Sequence, residues 1–453
     1  MRYKEYEEYR NIKFDYVKKI PSHWTICSWR YITKILTDYT ANGSFKDLAD
    51  NVKYLDYKSY ARVVRLTDLR KNMKNEGIYV NEDAYNFLSK SSLAGGEFLI
   101  SNVGAYSGLI LQMPNINYKA TLGPNMMMAK FNEKVLNRFM IHLGQSEYIK
   151  QQFSLKANSS SAQPKLNKED FRSIKFLLPP IEEQEKIVEF LDKKTSEIDK
   201  LIEEKEKLIE LLKEKREAII TEAVTKGLDK NVKMKDSGVE WIGEIPEQWN
   251  AKKLRYLGEL QNGISKSAQY FGKGFPFVSY SDVYKNEEIP NEVNGKVEST
   301  TSERELYSVK EGDVFFTRTS ETIEEIGFAS TCFSSIEDST FAGFLIRFRP
   351  NEKMLYKGFS KYYFRSNIHR RFFVKEMNIV TRASLSQELL KQLPVLIPPI
   401  NEQKKIYNFL NRKISDIDKL IIDIGVQINN LNEYKKSLIS EIVTGKIDVR
   451  NEA

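Results

Sequence analysis

Two long stretches of the chain place apolar residues every seven positions, with charged residues between them. The second stretch contains two neighbouring series: Ile417, Ile424, Leu431 and Leu438, then Ile421, Ile428 and Ile442. The first stretch contains the corresponding series Ile198, Lys205, Leu212 and Ile219, then Ile202, Ile209 and Ala223. A seven-residue repeat of this length predicts two long helices that pair as a coiled coil.

Arg216 and Lys435 interrupt the second series at equivalent positions of the two stretches. Polar residues inside a coiled-coil seam can fix the register of the two helices. Long charged side chains can also extend along a helix until they reach water. The sequence leaves both interpretations open.

The chain repeats itself once, with a period of about 220 residues. In the repeat Asp15–Trp24 matches Glu240–Trp249, Val64–Asp68 matches Val278–Asp282, Gly96–Ser101 matches Gly312–Thr317, and Leu178–Gln184 matches Ile397–Gln403. From the last pair the match continues without a gap to Thr225 and Thr444, and Ile198–Ile202 recurs unchanged as Ile417–Ile421. Each copy therefore consists of a divergent domain followed by a near-constant helical segment.

The divergent segments combine short apolar runs with turn residues. Gly96–Ser101 and Gly312–Thr317 each predict a turn that leads into a buried strand. Val135–Gln152 and Met354–Phe373 have the pattern of helices. The second of these is dense in aromatic and basic residues, which indicates either a nucleic-acid contact or an aromatic core face with a solvated basic face.

The fold class predicted from this repeat is α+β, with two α/β domains separated by an antiparallel two-helix coiled coil. Antiparallel pairing follows if the copies are related by a pseudo-twofold axis. The Pro-Pro pairs at 179–180 and 398–399 end extended segments and begin the helices. The predicted parts are a first domain with the N-terminal segment at 1–178, a first helical spacer at 179–227, a second domain at 228–397, and a second spacer with the tail at 398–453.

Charge and cysteine content limit the classes of partner and the cellular compartment that we expect for this chain. The net charge of +8 suits a nucleic acid first and an anionic membrane surface second, although a lysine-rich proteome produces basic proteins generally. Cys27 and Cys332 lie in different halves, which excludes a disulfide framework and a cysteine-rich zinc site. No apolar run approaches the roughly 20 residues of a membrane span, and Met1–Glu5 is charged. We expect a soluble cytoplasmic protein.

Polar loops precede both Pro-Pro pairs, at residues 157–165 and 378–384. Aligning Leu166 with Leu385 places Gln163 opposite Arg382. Gln can pair with adenine and Arg with guanine in the major groove, so one slot could read two different half-sites; ordinary surface loops have the same composition. The candidate DNA-contact residues are Asn158, Gln163, Lys165, Arg318, Thr381, Arg382 and Ser384.

Motifs for catalysis are absent from the sequence. There is no phosphate-binding loop, no Gly-x-Gly-x-x-Gly fingerprint and no Asp/Asn-Pro-Pro-Tyr/Phe motif for amino-methyl transfer. The three histidines, His23, His142 and His369, lack the spacing of metal ligands. We expect a chain without a catalytic or metal site of its own.

The two full sets of motifs resemble the specificity subunit of Type I restriction-modification systems over nearly the whole chain. The resemblance rests on the duplicated Ile-Pro-x-x-Trp and Pro-Pro-Ile-x-Glu-Gln-x-Lys-Ile blocks, the Ile-Asp-Lys-Leu-Ile repeat, and the closing Glu222–Thr225 and Glu441–Thr444. It implies a sequence-specific subunit that binds double-stranded DNA through two target recognition domains, one for each half of a bipartite site. The first polar loop has Gln163, and not a basic residue, opposite Arg382.

The same resemblance implies partners for this chain and cofactors held by those partners. The helices would dock methyltransferase subunits, which bind S-adenosylmethionine and methylate adenine N6, and restriction subunits that use ATP and Mg²⁺ could join them. The candidate partner-binding residues are Glu183, Gln184, Lys186, Glu402, Gln403 and Lys405. No cofactor is expected in this chain.

Two other functions fit part of the pattern. A coiled-coil assembly scaffold with incidental DNA binding would need only the helices. A stand-alone methyltransferase or nuclease would need a catalytic cluster that the motifs do not reveal. Ile198–Val224 would be roughly 40 Å long as a helix, close to the about 34–36 Å of one DNA turn, so a rigid spacer could set the distance between two half-sites.

Overall fold

The computed structural model of the chain describes residues 3–157, 163–320, 326–376 and 383–452. The chain forms two units by its internal contacts: unit 1 is Met1–Lys205 with Val426–Ala453, and unit 2 is Glu206–Gly425. Each unit therefore includes part of both long helices, whereas the division predicted from the sequence gave the helices parts of their own.

Unit 1 is a mixed α/β domain with short elements before its long helix. Its strands are β1 Tyr9–Asn11, β2 Lys19–Pro21, β3 Thr25–Ser28, β4 Thr33–Asp38, β5 Ala61–Val64, β6 Ile78–Val80, β7 Ser92–Leu93, β8 Phe98–Ser101, β9 Ile110–Gln112, β10 Lys119–Leu122, β11 Met126–Phe131 and β12 Lys175–Leu178. Its helices are α1 Phe45–Asn51, α2 Leu66–Arg70, α3 Glu82–Phe87, α4 Asn137–Gly144, α5 Glu147–Ala157 and α6 Lys168–Ser173. The long helix α7, Ile181–Lys226, follows.

Two four-stranded sheets form the centre of unit 1, in the strand orders β4-β11-β8-β9 and β6-β5-β10-β7. All four residues of β8 and the first four of β11 are buried, because both strands are apolar on both faces. Trp29 is fully buried beside β8, and the rings of Phe98, Phe153 and Phe171 meet it edge to face with centroids within 5.4 Å.

Unit 2 repeats this construction with different side chains. Its strands are β13 Met234–Asp236, β14 Glu244–Pro246, β15 Asn250–Lys253, β16 Gly258–Asn262, β17 Phe271–Val278, β18 Lys296–Val297, β19 Val314–Thr317, β20 Thr319–Ser320, β21 Ala329–Thr331, β22 Thr340–Phe341, β23 Leu345–Pro350, β24 Ala383–Ser384 and β25 Pro394–Ile397. Its helices are α8 Tyr280–Lys285, α9 Thr301–Leu306, α10 Lys357–Arg365, α11 Arg370–Glu376 and α12 Gln387–Lys391. The second long helix, α13, is Ile400–Val443.

The main sheet of unit 2 has the strand order β16-β23-β19-β21, which corresponds to the β4-β11-β8-β9 order of unit 1. Both turns predicted from the repeat are present, because Gly96 and Gly312 have φ angles of +83° and +88° before buried strands. Left-handed backbone of this kind favours glycine, which explains the glycine in both copies.

Each of the two stretches with a helix pattern is helical but forms two helices, with a serine between them. Between α4 and α5 the Ser146 hydroxyl donates to the Leu143 carbonyl oxygen at 2.5 Å. Between α10 and α11 Ser366 has extended backbone, and its hydroxyl donates to the Tyr363 carbonyl oxygen at 2.7 Å. A serine that binds the carbonyl three residues earlier competes with the helical hydrogen bond there.

In unit 1 the long helices pair antiparallel. The Lys435 ammonium lies 2.6 Å from the Asp199 carboxylate, and the Lys205 ammonium donates to the Gln427 side-chain oxygen at 2.6 Å. Residue numbers therefore rise along α7 while they fall along α13. Ile198, from the predicted apolar series, is buried in the same core as α13 residues of unit 1.

In unit 2 the Arg216 guanidinium lies 3.0 Å from the Asp418 carboxylate. Asp418 holds the repeat position of Asp199, and Arg216 holds that of Lys435, so one ion pair occurs once in each unit with the helices exchanged. Both cations that interrupt the apolar seam are paired across it. The structure therefore favours the interpretation that they set helix register.

Candidate nucleic-acid interface

A duplicated tryptophan and glutamate join each domain to its long helix. The indole N–H of Trp24 donates to Glu183 at 3.1 Å in unit 1, and that of Trp249 donates to Glu402 at 2.9 Å in unit 2. Glu183 also accepts a hydrogen bond from the Tyr6 hydroxyl at 2.5 Å. Burial and this contact with Glu183 raise the pKa of Tyr6 above its ordinary range.

The glutamine beside each glutamate is fully buried. Gln184 accepts from the Leu136 backbone N–H at 2.9 Å and donates to two backbone carbonyls at 3.0 Å. Gln403 makes the same set of three bonds in unit 2, starting with the Tyr356 N–H at 2.8 Å. These amides satisfy backbone groups at the start of α4 and α10 and fix where the long helices begin.

Four of the six predicted partner contacts therefore have a role inside the chain. Gln184 and Gln403 are enclosed, and the carboxylates of Glu183 and Glu402 accept from the buried tryptophans. Exposed candidates are Lys186 and Lys405. The two lysines are the residues of this set that a docked subunit could reach.

The predicted DNA-contact residues fall in two groups. Gln163, Lys165 and Ser384 are exposed and Arg318 is half-buried. Asn158, Thr381 and Arg382 lie outside the described residues.

In unit 1 three loops meet where β8 ends. The backbone N–H of Asn102 donates to the Asn125 carbonyl oxygen at 3.1 Å, and the Leu166 N–H donates to the Asn102 carbonyl oxygen at 2.8 Å. The Gly104 N–H donates to the Pro164 carbonyl oxygen at 2.9 Å. We call these loops, residues 102–109, 123–125 and 163–166, cluster 1.

Unit 2 builds the same arrangement after β19. The Arg318 N–H donates to the Phe344 carbonyl oxygen at 2.9 Å, and the Leu385 N–H donates to the Arg318 carbonyl oxygen at 2.7 Å. The strands β20 and β24 pair antiparallel beside this point. We call residues 318–320, 342–344 and 383–385 cluster 2. Leu166 and Leu385 hold equivalent places, as the alignment of the polar loops assumed.

Cations and an aromatic ring flank cluster 1. The Arg70 guanidinium lies 4.2 Å from the ring centroid of the half-exposed Tyr106, a cation–π contact that links the end of α2 to the cluster. After Arg70 the chain continues through exposed Lys71 and Lys74. This stretch therefore offers three exposed cations on the side of cluster 1 nearest α2.

The stretch after α2 has a fixed and strained backbone. Asn72 and Met73 have φ angles of +50° and +60°, which non-glycine residues rarely adopt. The buried Arg62 donates to the Met73 carbonyl oxygen at 3.1 Å. Burial raises the pKa of the nearby Asp68, but hydrogen bonds from Arg65 and other donors outweigh it and hold the pKa below its ordinary value. Asp68 therefore stays ionised and braces the turn.

Cluster 2 is flanked by aromatic residues instead. Tyr280 donates its hydroxyl to the Thr319 carbonyl oxygen at 2.9 Å, and its ring stacks with that of Tyr284. Phe344 is 64% exposed although its backbone carbonyl is part of the cluster. An exposed phenylalanine at a fixed loop tip can make apolar contact with a base.

The aromatic and basic helix of unit 2 belongs to the core. Tyr362, Tyr363 and Phe364 are buried, and the Arg365 guanidinium donates to backbone carbonyls, including that of Tyr284 at 2.9 Å. The core interpretation of this pattern is therefore favoured over the nucleic-acid one.

The sequence analysis missed Asn102, Arg70, Tyr106 and Phe344. The repeat could have identified Asn102, because matching Gly96–Ser101 to Gly312–Thr317 places it directly against Arg318. No sequence signal points to the other three, since their places depend on loops that meet only in the folded units.

Among the described residues no group of three or more His, Cys, Asp and Glu side chains is arranged to hold a metal ion. No helix in the described ranges is long and apolar enough to cross a membrane. Cys332 is a buried thiol that forms no disulfide, and burial raises its pKa to about 12, so it stays protonated.

The fold and the loop clusters define a class of protein in which one backbone arrangement occurs twice, with different exposed side chains in the two copies. A family model described as the Type I restriction modification DNA specificity domain matches residues 32–211 and 246–430, more than half of the chain. The chain belongs to this family.

Specificity subunits from other organisms match this chain over almost its full length. The MjaVIII specificity subunit of Methanocaldococcus jannaschii is 23% identical, with 97% of each chain covered. The EcoKI specificity subunit of Escherichia coli K12 is 23% identical over 95% of this chain and 90% of its own.

Two solved structures share the fold. A chain from a structure on complex assembly and conformational transition of the type I R-M system has a TM-score of 0.64 at 14% identity, with 94% of this chain and 99% of that one covered. The HsdS subunit of Thermoanaerobacter tengcongensis has a TM-score of 0.53 at 14% identity, with 94% and 98% covered. These likenesses support the predicted α+β fold class with its long helices.

Proposed function

We propose that the chain is the sequence-specific, double-stranded DNA-binding subunit of a Type I restriction-modification complex. One unit reads each half of a bipartite target. The observation that carries this proposal is the duplicated cluster, in which Asn102 and Arg318 make equivalent backbone hydrogen bonds and have different side chains. Two half-sites of different sequence require the same backbone arrangement in both units, with different side chains that contact the DNA.

DNA affinity and DNA selectivity come from different side chains in this proposal. Lys and Arg side chains neutralise phosphates and give salt-dependent binding without sequence preference. Side chains that reach base edges add about 1–3 kcal/mol for each good bidentate pair. Because the two units belong to one chain, the second unit binds DNA intramolecularly once the first is bound, and the selectivities of the two units multiply.

The proposed DNA contacts keep the residues predicted from the sequence. In unit 1 they are Gln163 and Lys165, which are exposed at cluster 1, together with Asn158. In unit 2 they are Arg318 and Ser384 at cluster 2, with Thr381 and Arg382.

The chemistry of modification belongs to partners in this proposal. Methyltransferase subunits dock on the helical segments near Lys186 and Lys405 and bring S-adenosylmethionine. Where the system has restriction subunits, these bring the ATP and Mg²⁺ chemistry. The chain itself acts in the cytoplasm without a cofactor and without a catalytic residue.

Salt-titrated binding separates this function from a scaffold with incidental DNA affinity. The full chain, reconstituted with its methyltransferase subunits, is titrated with duplexes carrying the two-part motif selected from a random library and with scrambled versions. We expect the bipartite duplex to bind tighter at every salt concentration by 10³-fold or more. Equal affinity for both duplexes would instead identify a scaffold with non-specific DNA binding.

A further inference from the structure

Arg318 is a half-buried arginine with an unused side chain. In the part of the chain that the structure describes, its guanidinium has no hydrogen-bond or ion-pair partner. Four other enclosed arginines of unit 2 each donate to a carbonyl or carboxylate oxygen: Arg304, Arg347, Arg349 and Arg365. The five N–H donors of Arg318 are therefore not committed to any protein group in the described ranges and are available to a ligand.

The backbone of Arg318 is held on both sides. Its N–H donates to the Phe344 carbonyl oxygen at 2.9 Å, and its C=O accepts from the Leu385 N–H at 2.7 Å. The backbone of Arg318 therefore cannot move away from the cluster without breaking both bonds. A side chain carried on a fixed backbone loses less conformational entropy when it binds, which favours specific recognition.

Unit 1 shows what the same place looks like without this side chain. Asn102 has the equivalent two backbone bonds, but its side-chain oxygen is buried without a partner among the described residues. The exposed Asn125 stands where cluster 2 has Phe344. The long unpaired side chain and the aromatic neighbour are thus features of unit 2.

We infer that Arg318 reads a guanine in the half-site of unit 2 and that Phe344 contacts the neighbouring base pair. This inference rests on the proposed function and adds the base and the residue. A guanidinium donates two parallel hydrogen bonds to guanine O6 and N7 in the major groove, and no other base offers that pair of acceptors there. Phe344, exposed beside it, supplies apolar contact such as that made with a thymine methyl group.

A phosphate contact is the competing role for the same guanidinium, and it makes a different prediction. If the guanidinium contacts a base, removing it abolishes the base preference at one position of the target. A phosphate contact weakens binding uniformly and lowers the slope of log affinity against log salt by about one.

The test selects bound sequences from a randomised duplex library with the full chain, reconstituted with its methyltransferase subunits. Wild type is compared with Arg318→Ala, Arg318→Gln and, as a charge-matched control, Arg255→Ala, an exposed arginine of unit 2 outside the long helices. Arg318→Ala should abolish the preference for guanine at one position of one half-site and weaken binding of the wild-type target by about 5- to 150-fold. Arg318→Gln should move that preference toward adenine, and Arg255→Ala should leave the motif unchanged.

The possible failures are distinguishable. If wild type selects no two-part motif, the proposed function itself is wrong. If wild type selects such a motif and both Arg318 variants select the same one, or lose affinity equally for all sequences, only the guanine assignment is overturned. Thermal melting of each variant checks the fold, which should be kept because the side chain has no partner to lose.

Discussion

Unit 1 and unit 2 build the same loop cluster, but the stretches that follow α2 in unit 1 and α8 in unit 2 carry opposite charges. After α2, unit 1 exposes Arg70, Lys71 and Lys74 on a strained, braced stretch. After α8, unit 2 has Glu287 and Glu288, each in an ion pair within that unit. The backbone bonds that hold each cluster do not depend on side-chain identity, so its surroundings can change while its shape stays. Unit 1 should therefore bind DNA with more charge, and unit 2 with more shape and base contact.

The largest expected effect concerns the two cores that support the clusters. Trp29 is enclosed by aromatic rings in unit 1, whereas Leu254 holds its repeat position in unit 2. Trp29→Ala should lower the free energy of unfolding by about 3–5 kcal/mol, since it leaves a large cavity. Denaturant titration measures the change. Tyr31→Ala, at a neighbouring exposed residue, should change stability by less than about 0.5 kcal/mol, and equal losses for the two variants would contradict the core assigned here.

A smaller effect separates the two register-setting ion pairs. Arg216 is enclosed and bonds to both Asp418 and Glu287, whereas the Asp199 partner of Lys435 is largely exposed. Arg216→Ala should destabilise the chain by about 1–2 kcal/mol, because it leaves the half-buried Glu287 and the more exposed Asp418 without this donor. Lys435→Ala should cost less than about 1 kcal/mol. Denaturant titration of both variants at matched salt decides this, and a greater loss for Lys435→Ala would refute the difference between the units.

The smallest expected effect is on the salt dependence of DNA binding. Replacing both Lys71 and Lys74 by Ala should reduce the slope of log affinity against log salt by about two, with the selected sequence unchanged. The charge-matched control replaces Lys207 and Lys215, exposed lysines of α7. Fluorescence anisotropy at several salt concentrations measures both slopes. Equal slopes for the two double variants would show that the cations after α2 do not meet phosphates.

The sequence predicted the long helices and the repeat well because both are periodic. Heptads sustained over many turns specify a helix and its seam before any tertiary contact is known. The break between α10 and α11 was missed because the apolar spacing continues across Ser366, where the backbone becomes extended and the hydroxyl bonds to the Tyr363 carbonyl oxygen. Local sequence patterns do not show where a side chain competes with the backbone for a carbonyl oxygen.

The candidate site was only partly predictable for a similar reason. Gln163 and Lys165 were found because their loop is polar, while Arg70 and Phe344 lie in segments that reach the clusters only after folding. Gln184 and Gln403 were read as surface contacts from their place in a repeated motif. Their burial shows that a repeated polar residue can form hydrogen bonds inside the fold instead of contacting a partner at the surface.

The central claim is that one frame, used twice, reads two independent half-sites. Methylome sequencing of cells carrying the complete system tests it most directly, with wild type, Gln163→Ala and Arg318→Ala compared. We predict a two-part adenine-methylation motif in which Gln163→Ala relaxes one half and Arg318→Ala relaxes only the other. An uninterrupted motif, or two variants that alter the same half, would contradict the account.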